Sequence, residues 1–125
     1  MIVVVGLGID IIDNQRFSSV NHKLAKRLLT EDEYNTLLTK KIEKHQVEFL
    51  CGHIAAKEAF VKAIGEGFTN LSFADIEIKY TELGQPYIFL LKDNAKFTNN
   101  TILLSISHSN NTTVAVVIIE KMPLN

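Results

Sequence analysis

Three residues carry reactive side chains at positions that break the local pattern, Asp10, Glu58 and His108, and Lys62 stands one helical turn beyond Glu58. Asp10 ends the apolar run Ile2-Val3-Val4-Val5-Gly6-Leu7-Gly8-Ile9. Glu58 stands in the stretch His53 to Gly65; at about 100° per residue, Val47, Cys51, Ile54, Ala55 and Val61 fall within roughly 60° of it. An uncompensated carboxylate on such a stripe is costly. Lys62, one turn on, is near enough to pair with Glu58 or to share a ligand with it. His108 ends an apolar strand between Ser107 and Ser109. Two carboxylates on separate elements suit magnesium, which takes one or two carboxylates and fills its octahedron with water and phosphate oxygens. Lys62 then offsets charge developing on a phosphoryl group, and Ser107-His108-Ser109 offers donors to phosphate oxygens. Each feature also has an ordinary structural reading: a Glu58–Lys62 ion pair, a solvated strand end at Asp10, a strand-end histidine, serines in a turn. A Ser-His-Asp hydrolase built from Ser107, His108 and Asp10 is disfavoured. Adjacent residues of a strand point to opposite faces, and no nucleophile elbow precedes the serine.

The elements that must position these groups follow from periodicity and caps. The β-branched run Ile2–Ile12 reads as a strand covered on both faces. One face carries Val3, Val5, Leu7, Ile9 and Ile11; the other carries Ile2, Val4, Gly6, Gly8, Asp10 and Ile12. Gly6 and Gly8 clear the side chains beside Asp10, as happens where a backbone or a ligand approaches closely or where a strand bends. The glycines are not a dinucleotide fingerprint, since the third glycine and the following helix are missing. Asp13 or Asn14 can cap a short helix containing Arg16 and Phe17, and Asn21 can start another through Leu24, Leu28 and Leu29. Lys23, Lys26 and Arg27 make that segment basic, either as a solvated face or as a docking patch. Thr30-Glu31-Asp32-Glu33 has the capping-box form, so a helix is expected from about Glu31 to near Lys44. The longest helix is expected from about Gln46 to Ile64, stopping at Gly65-Glu66-Gly67.

Beyond it the period becomes two. Ile76, Ile78 and Tyr80 alternate with Asp75, Glu77 and Lys79, which predicts a strand with one wet face. The turn Glu82-Leu83-Gly84-Gln85-Pro86 leads to a second strand, Tyr87–Leu91. Asp93 to Phe97 can add one helical turn, and Thr101–His108 with Thr113–Ile119 form a further hairpin around Ser109–Thr112. The fold class is α+β: one N-terminal strand, a helical block with a long central helix, then mostly antiparallel strands packed on it.

The 125 residues, 46% of them apolar, suit a single domain, 1–125, with its own core. The net charge of -1 gives no basic field for nucleic acid. Cys51 is the only cysteine, cannot form an internal disulfide and suits a reducing compartment. The N-terminal apolar run lacks a basic leader, contains Asp10 and is too short to span a bilayer, so the expectation is a cytoplasmic protein with no membrane segment.

Four stretches occur in order: Gly6-Leu7-Gly8-Ile9-Asp10-Ile11 with Arg16; Ala55-Ala56-Lys57-Glu58-Ala59-Phe60 with Lys62-Ala63; Gly84-Gln85-Pro86; and Ser105-Ile106-Ser107-His108-Ser109. Together, at this spacing, they resemble the short bacterial 4'-phosphopantetheinyl transferases, the holo-[acyl carrier protein] synthase family, from about Val4 to Ile119. The resemblance implies transfer of phosphopantetheine from coenzyme A to a serine of apo-acyl carrier protein in fatty acid biosynthesis, by a homotrimer with active sites between subunits. It implies Asp10 and Glu58 as magnesium ligands and Lys62 at the phosphates of the reacting centre. His108 and Ser109 are similar to the segment that a neighbouring subunit sends to the coenzyme, while Gly65, Gln85 and Pro86 lie where the family holds the nucleotide end. Arg16, Lys23 and Arg27 match basic positions that meet the acidic helix of the carrier protein.

Two departures stand out. His53 and Ile54 replace the arginine and aromatic common before Ala55, and Gln85 replaces the usual lysine of the turn. Both remove charge near the coenzyme while leaving the transfer chemistry in place. In that chemistry the carrier serine attacks the β-phosphate in line, Glu58 takes its proton and Lys62 offsets charge. A magnesium-dependent nucleotide hydrolase using the same acids and a non-enzymatic oligomeric binding module are the rival readings.

Overall fold

In the computed structural model residues 1–65, 71–92 and 97–122 are described. The apolar N-terminal run forms β1 (Val3–Asp13) and pairs antiparallel with the last strand, β5 (Thr112–Lys121). β4 (Asn100–His108) lies on the other side of β5, so the sheet order is β1-β5-β4. A separate hairpin joins β2 (Ile76–Tyr80) to β3 (Pro86–Leu90). Between β1 and β2 the chain makes a 3-10 turn (Asn14–Phe17) and three helices: α1 (His22–Leu28), α2 (Glu31–Thr39) and the 22-residue α3 (Glu43–Ile64). A further 3-10 turn, Phe73–Asp75, leads into β2. The expected α+β class is observed. The helix stop at Glu66-Gly67 and most of the helical turn expected at 93–97 lie outside the described residues.

The caps act where the side chains predict. Asp13 accepts from the Gln15 N–H at 3.0 Å, Asn21 from Leu24 at 3.1 Å, and Thr30 with Glu33 closes a reciprocal capping box. α2 ends at Thr39, sooner than expected. The hydroxyls of Thr36 and Thr39 turn back onto the carbonyls of Asp32 (3.0 Å) and Thr36 (2.6 Å), and Gln46 captures the Lys40 carbonyl at 2.7 Å. These local bonds compete with helix continuation. Ile42 is then extended and α3 starts anew at Glu43.

α3 lies directly on β1. A Cβ on Gly8 would overlap the Ala59 carbonyl oxygen and come within 2.7 Å of the Ala63 nitrogen; one on Gly6 would overlap the Ala63 carbonyl. Of the two meanings open to these glycines, close approach of another backbone is the one realised. The core gathers around this contact: Ile12, Leu50, Cys51, Ala55, Ala56, Phe60, Ala115 and Val117 are all buried. Burial raises the Cys51 thiol to about 11, so it serves as a small core hydrophobe. β1 is covered on one face only, contrary to expectation. Leu7, Ile9 and Ile11 are 65%, 58% and 67% exposed on the outer face of the sheet. A bulge between Val4 and Gly6 also breaks the strict alternation of β1.

The other side of α3 is held by a buried charge cluster. Lys57, fully buried, donates to Glu33 (2.6 Å) and to the carbonyls of Leu28 (2.8 Å) and Phe73 (2.9 Å). Burial lowers the pKa of its ammonium, and the Glu33 carboxylate opposes that shift. Glu33 also accepts the backbone N–H groups of Thr30 and Ile78, each at 2.8 Å, so one pair binds α1, α2, α3 and β2 together. The wet face expected for β2 fails at Glu77, which is 4% exposed and accepts the Thr30 hydroxyl at 2.7 Å.

Three stability outcomes follow. Gly8→Ala should lower unfolding stability in urea by about 3 kcal/mol, because the backbone it meets cannot yield. Gly84→Ala, at φ +87 with no atom within 4 Å, should cost about 1 kcal/mol from backbone strain alone. Lys57→Met should cost about 3–5 kcal/mol by stranding Glu33, and adding Glu33→Gln should recover part of that loss; strict additivity would refute a coupled pair.

Candidate active site

Packing α3 against β1 sets three of the reactive groups at one edge of the interface. Asp10 follows Gly8 on the helix-facing side of β1, and its side chain is 15% exposed. Lys62 Nζ lies 3.0 Å from Asp10 Oδ1 and donates at 3.0 Å to the Ile9 carbonyl, with its side chain 54% exposed. It therefore turns toward Asp10 rather than Glu58. Glu58, one helical turn before Lys62, is half-buried and has no side-chain hydrogen bond or ion pair among the described residues. The helix around it is buried on nearly every side, and the fully buried charge is its neighbour Lys57.

This donor set fits a magnesium ion. A lysine ammonium already rests on one Asp10 oxygen, so cation density is favoured there, and the Glu58 carboxylate on the same face is uncommitted. Among the described residues no cluster of three His, Cys, Asp or Glu side chains could hold a metal, so the protein offers two carboxylates rather than a cage. Two is the number magnesium uses when phosphate and water complete its shell.

His108 lies elsewhere in the chain. With Lys40, His45, Glu48, Phe49, His53 and Tyr80 it lines a cavity of about 230 Å³ toward the start of α3. Its ring lies against Gly52, where a Cβ would come within 3.3 Å of Cε1. Within one chain His108 thus belongs to a different part of the surface from Asp10 and Lys62. His53 shares the cavity wall. It is 1% exposed, its Nδ1 donates to the Phe49 carbonyl at 2.7 Å, and burial lowers its pKa to about 3. His53 is neutral at ordinary pH and cannot replace the cationic charge of an arginine.

The remaining predicted residues occupy the ends of elements. Gly65 caps α3 at φ +81. Gln85 sits in the β2–β3 turn, its N–H bonded to the Thr81 hydroxyl at 3.1 Å, and Pro86 opens β3 opposite Tyr80. The Ser109 N–H closes the β4–β5 turn on the Thr112 carbonyl at 2.8 Å. Arg16, Lys23 and Arg27 are exposed on the first helical segments, as a docking patch requires. Two residues that patterning does not single out bear on the site: the Thr113 hydroxyl meets His108 Nδ1 at 2.9 Å and donates to Asn14 Oδ1 at 2.8 Å. Thr113 reads from sequence as one more β-branched residue of a strand, and only the register of β4 on β5 brings it opposite His108.

Comparison with known proteins places the chain in a family. The profile of the 4'-phosphopantetheinyl transferase superfamily matches residues 6–117. A holo-[acyl-carrier-protein] synthase of Anoxybacillus flavithermus is 40% identical over 124 residues, covering 96% of this chain and 98% of that protein. The crystal structure of a Bacillus anthracis holo-(acyl-carrier-protein) synthase in complex with CoA (3',5'-ADP) superposes with a TM-score of 0.83 at 38% identity, over 95% of this chain and 98% of that one. The Helicobacter pylori holo-[acyl-carrier-protein] synthase in complex with coenzyme A gives 0.74 at 31% identity, over 90% and 98%. The chain belongs to the 4'-phosphopantetheinyl transferase superfamily, with the fold and the length of its holo-[acyl-carrier-protein] synthases.

Proposed function

We propose that this single-domain chain transfers 4'-phosphopantetheine from coenzyme A to a serine of apo-acyl carrier protein, releasing adenosine 3',5'-bisphosphate, in cytoplasmic fatty acid biosynthesis. The observation that carries the reading is the meeting of Asp10 and Lys62, one helical turn from an uncommitted Glu58, in a chain 40% identical to holo-[acyl-carrier-protein] synthases.

The serine oxygen attacks the β-phosphorus in line; the new Ser O–P bond forms as the bond to the adenosine 5'-phosphate oxygen breaks. Glu58, half-buried and unpaired, takes the serine proton. Asp10 and Glu58 would hold magnesium, which when bound offsets charge on the transferring phosphoryl group. Lys62, largely exposed and within reach of Asp10, swings to the phosphate oxygens and stabilises the bisphosphate leaving group. Orientation supplies much of the remaining acceleration.

The outer face of the sheet supports assembly as a homotrimer with active sites between subunits. Leu7, Ile9 and Ile11 of β1 run alongside Val114, Val116 and Ile118 of β5, an apolar surface of the kind that marks an interface. A trimer also answers the separation of His108 from Asp10 within one chain: the His108 and Ser109 end serves the coenzyme held by a neighbour's Asp10, Glu58 and Lys62, with Gly65, Gln85 and Pro86 near the nucleotide. The exposed Arg16, Lys23 and Arg27 then meet the acidic carrier protein.

Mass spectrometry of apo-acyl carrier protein incubated with the protein, coenzyme A and magnesium should show the phosphopantetheine adduct. Glu58→Gln should abolish it at unchanged thermal stability. Wild-type-like transfer by that variant would refute the role of Glu58. Coenzyme A cleavage without an acceptor would favour a hydrolase, and no metal-dependent stabilisation by coenzyme A would favour a binding module.

A further inference from the structure

His108 is held by a hydrogen-bond chain whose direction is set by the Asn14 amide, with Oδ1 facing Thr113. Thr113, with no exposed surface, has a single hydroxyl proton and gives it to Asn14 Oδ1 at 2.8 Å. The Thr113 oxygen can therefore only accept at its other contact, the 2.9 Å approach of His108 Nδ1. With Asn14 Oδ1 in that position, His108 carries its proton on Nδ1. Asn14 is buried, its backbone N–H donates to the Asn111 carbonyl at 2.8 Å, and the His108 ring edge lies against Gly52. In the neutral ring Nε2 then bears a lone pair; it becomes a donor only when the ring is protonated.

We propose that Thr113 and Asn14 are positioning residues that hold His108 in the Nδ1–H form, so that Nε2 binds a coenzyme phosphate only as part of an imidazolium. This rests on the reading that His108 meets a phosphate of the coenzyme. A neutral Nδ1–H ring presents a lone pair to a phosphate oxygen, which is repulsive; the protonated ring presents a charge-assisted donor. Lys40, His45, Glu48, His53 and Tyr80 also line the cavity around the ring, and Thr113 and Asn14 on the sheet side are uncharged. His53 stays neutral there. His45 and Glu48 act equally in wild type and in a Thr113 variant, so the comparison isolates His108.

The test has two readouts on the intact protein. Nitrogen chemical shifts of histidine-labelled protein at pH 8.5 should show neutral His108 as the Nδ1–H tautomer; Thr113→Val should shift it toward Nε2–H, and Thr113→Ser should restore it. A wild-type ring in the Nε2–H form would overturn the proposal. Calorimetry with adenosine 3',5'-bisphosphate between about pH 7.5 and 9, well above the second phosphate pKa of about 6, should show wild-type affinity falling roughly tenfold. Thr113→Val should flatten that fall, because its neutral ring can donate from Nε2. Equal pH slopes in the two proteins would overturn the proposal while leaving coenzyme binding intact. Binding in neither protein at any pH would overturn the reading beneath it, whatever the tautomer. Should Thr113→Val fail to fold, Asn14→Leu frees the Thr113 proton for His108 Nδ1 and should switch the tautomer in the same sense; an unchanged tautomer there would overturn the proposal.

Discussion

Backbone-to-backbone contact between β1 and α3 is the constraint from which the rest of the arrangement follows. The helix can approach so closely only because Gly6 and Gly8 present no Cβ to the carbonyls of Ala59 and Ala63. That proximity sets the spacing between a strand carboxylate and a helix ammonium, bringing Asp10 and Lys62 into a 3.0 Å contact. It also fixes which turn of α3 faces Asp10, and so where Glu58 stands. A side chain at Gly8 would lift the helix and separate Asp10 from Lys62. Stability and chemistry depend here on the same absent atoms.

The opposite flank of α3 is organised by charge. Lys57 and Glu33 occupy the centre of four elements that share little sequence proximity, and every donor of the lysine has a partner. A buried pair of this kind adds little net stability over an apolar replacement, but breaking it on one side is expensive. Its value lies in register: the end of α1, the cap of α2 and the middle of β2 each contribute a bond, so all three are fixed relative to the helix that carries Glu58. Neighbouring residues of one helix thus have opposite duties, Lys57 tying the scaffold and Glu58 left free.

Local chemistry made much of this readable. Asp13, Asn21 and Thr30 announce helix starts because their side chains bond the first turn, and each does so here. Gly6, Gly8, Asp10, Glu58 and Lys62 break the local pattern in ways that point to a site. What patterning missed is long-range. Glu77 looks solvated by alternation, yet a partner 47 residues away buries it. Periodicity places Glu58 mid-stripe, whereas a helix packed on several sides has no single stripe and buries Lys57 instead. Thr113 and Asn14, 99 residues apart, acquire meaning only through strand pairing. The open face of β1 is the converse: the apolar pattern demanded two covers, and one chain supplies one.

In the proposed trimer the two parts of the surface would complement each other. One part of the surface gives Asp10, Glu58 and a half-exposed Lys62; another gives His108 beside Thr113. The account stands on Asp10 and Glu58 acting as two ligands of one ion, and anomalous diffraction from crystals grown with coenzyme A and manganese tests that most directly. It predicts one manganese peak between the two carboxylates, in contact with coenzyme phosphate oxygens. A manganese ion bound to the coenzyme but touching neither carboxylate would contradict it.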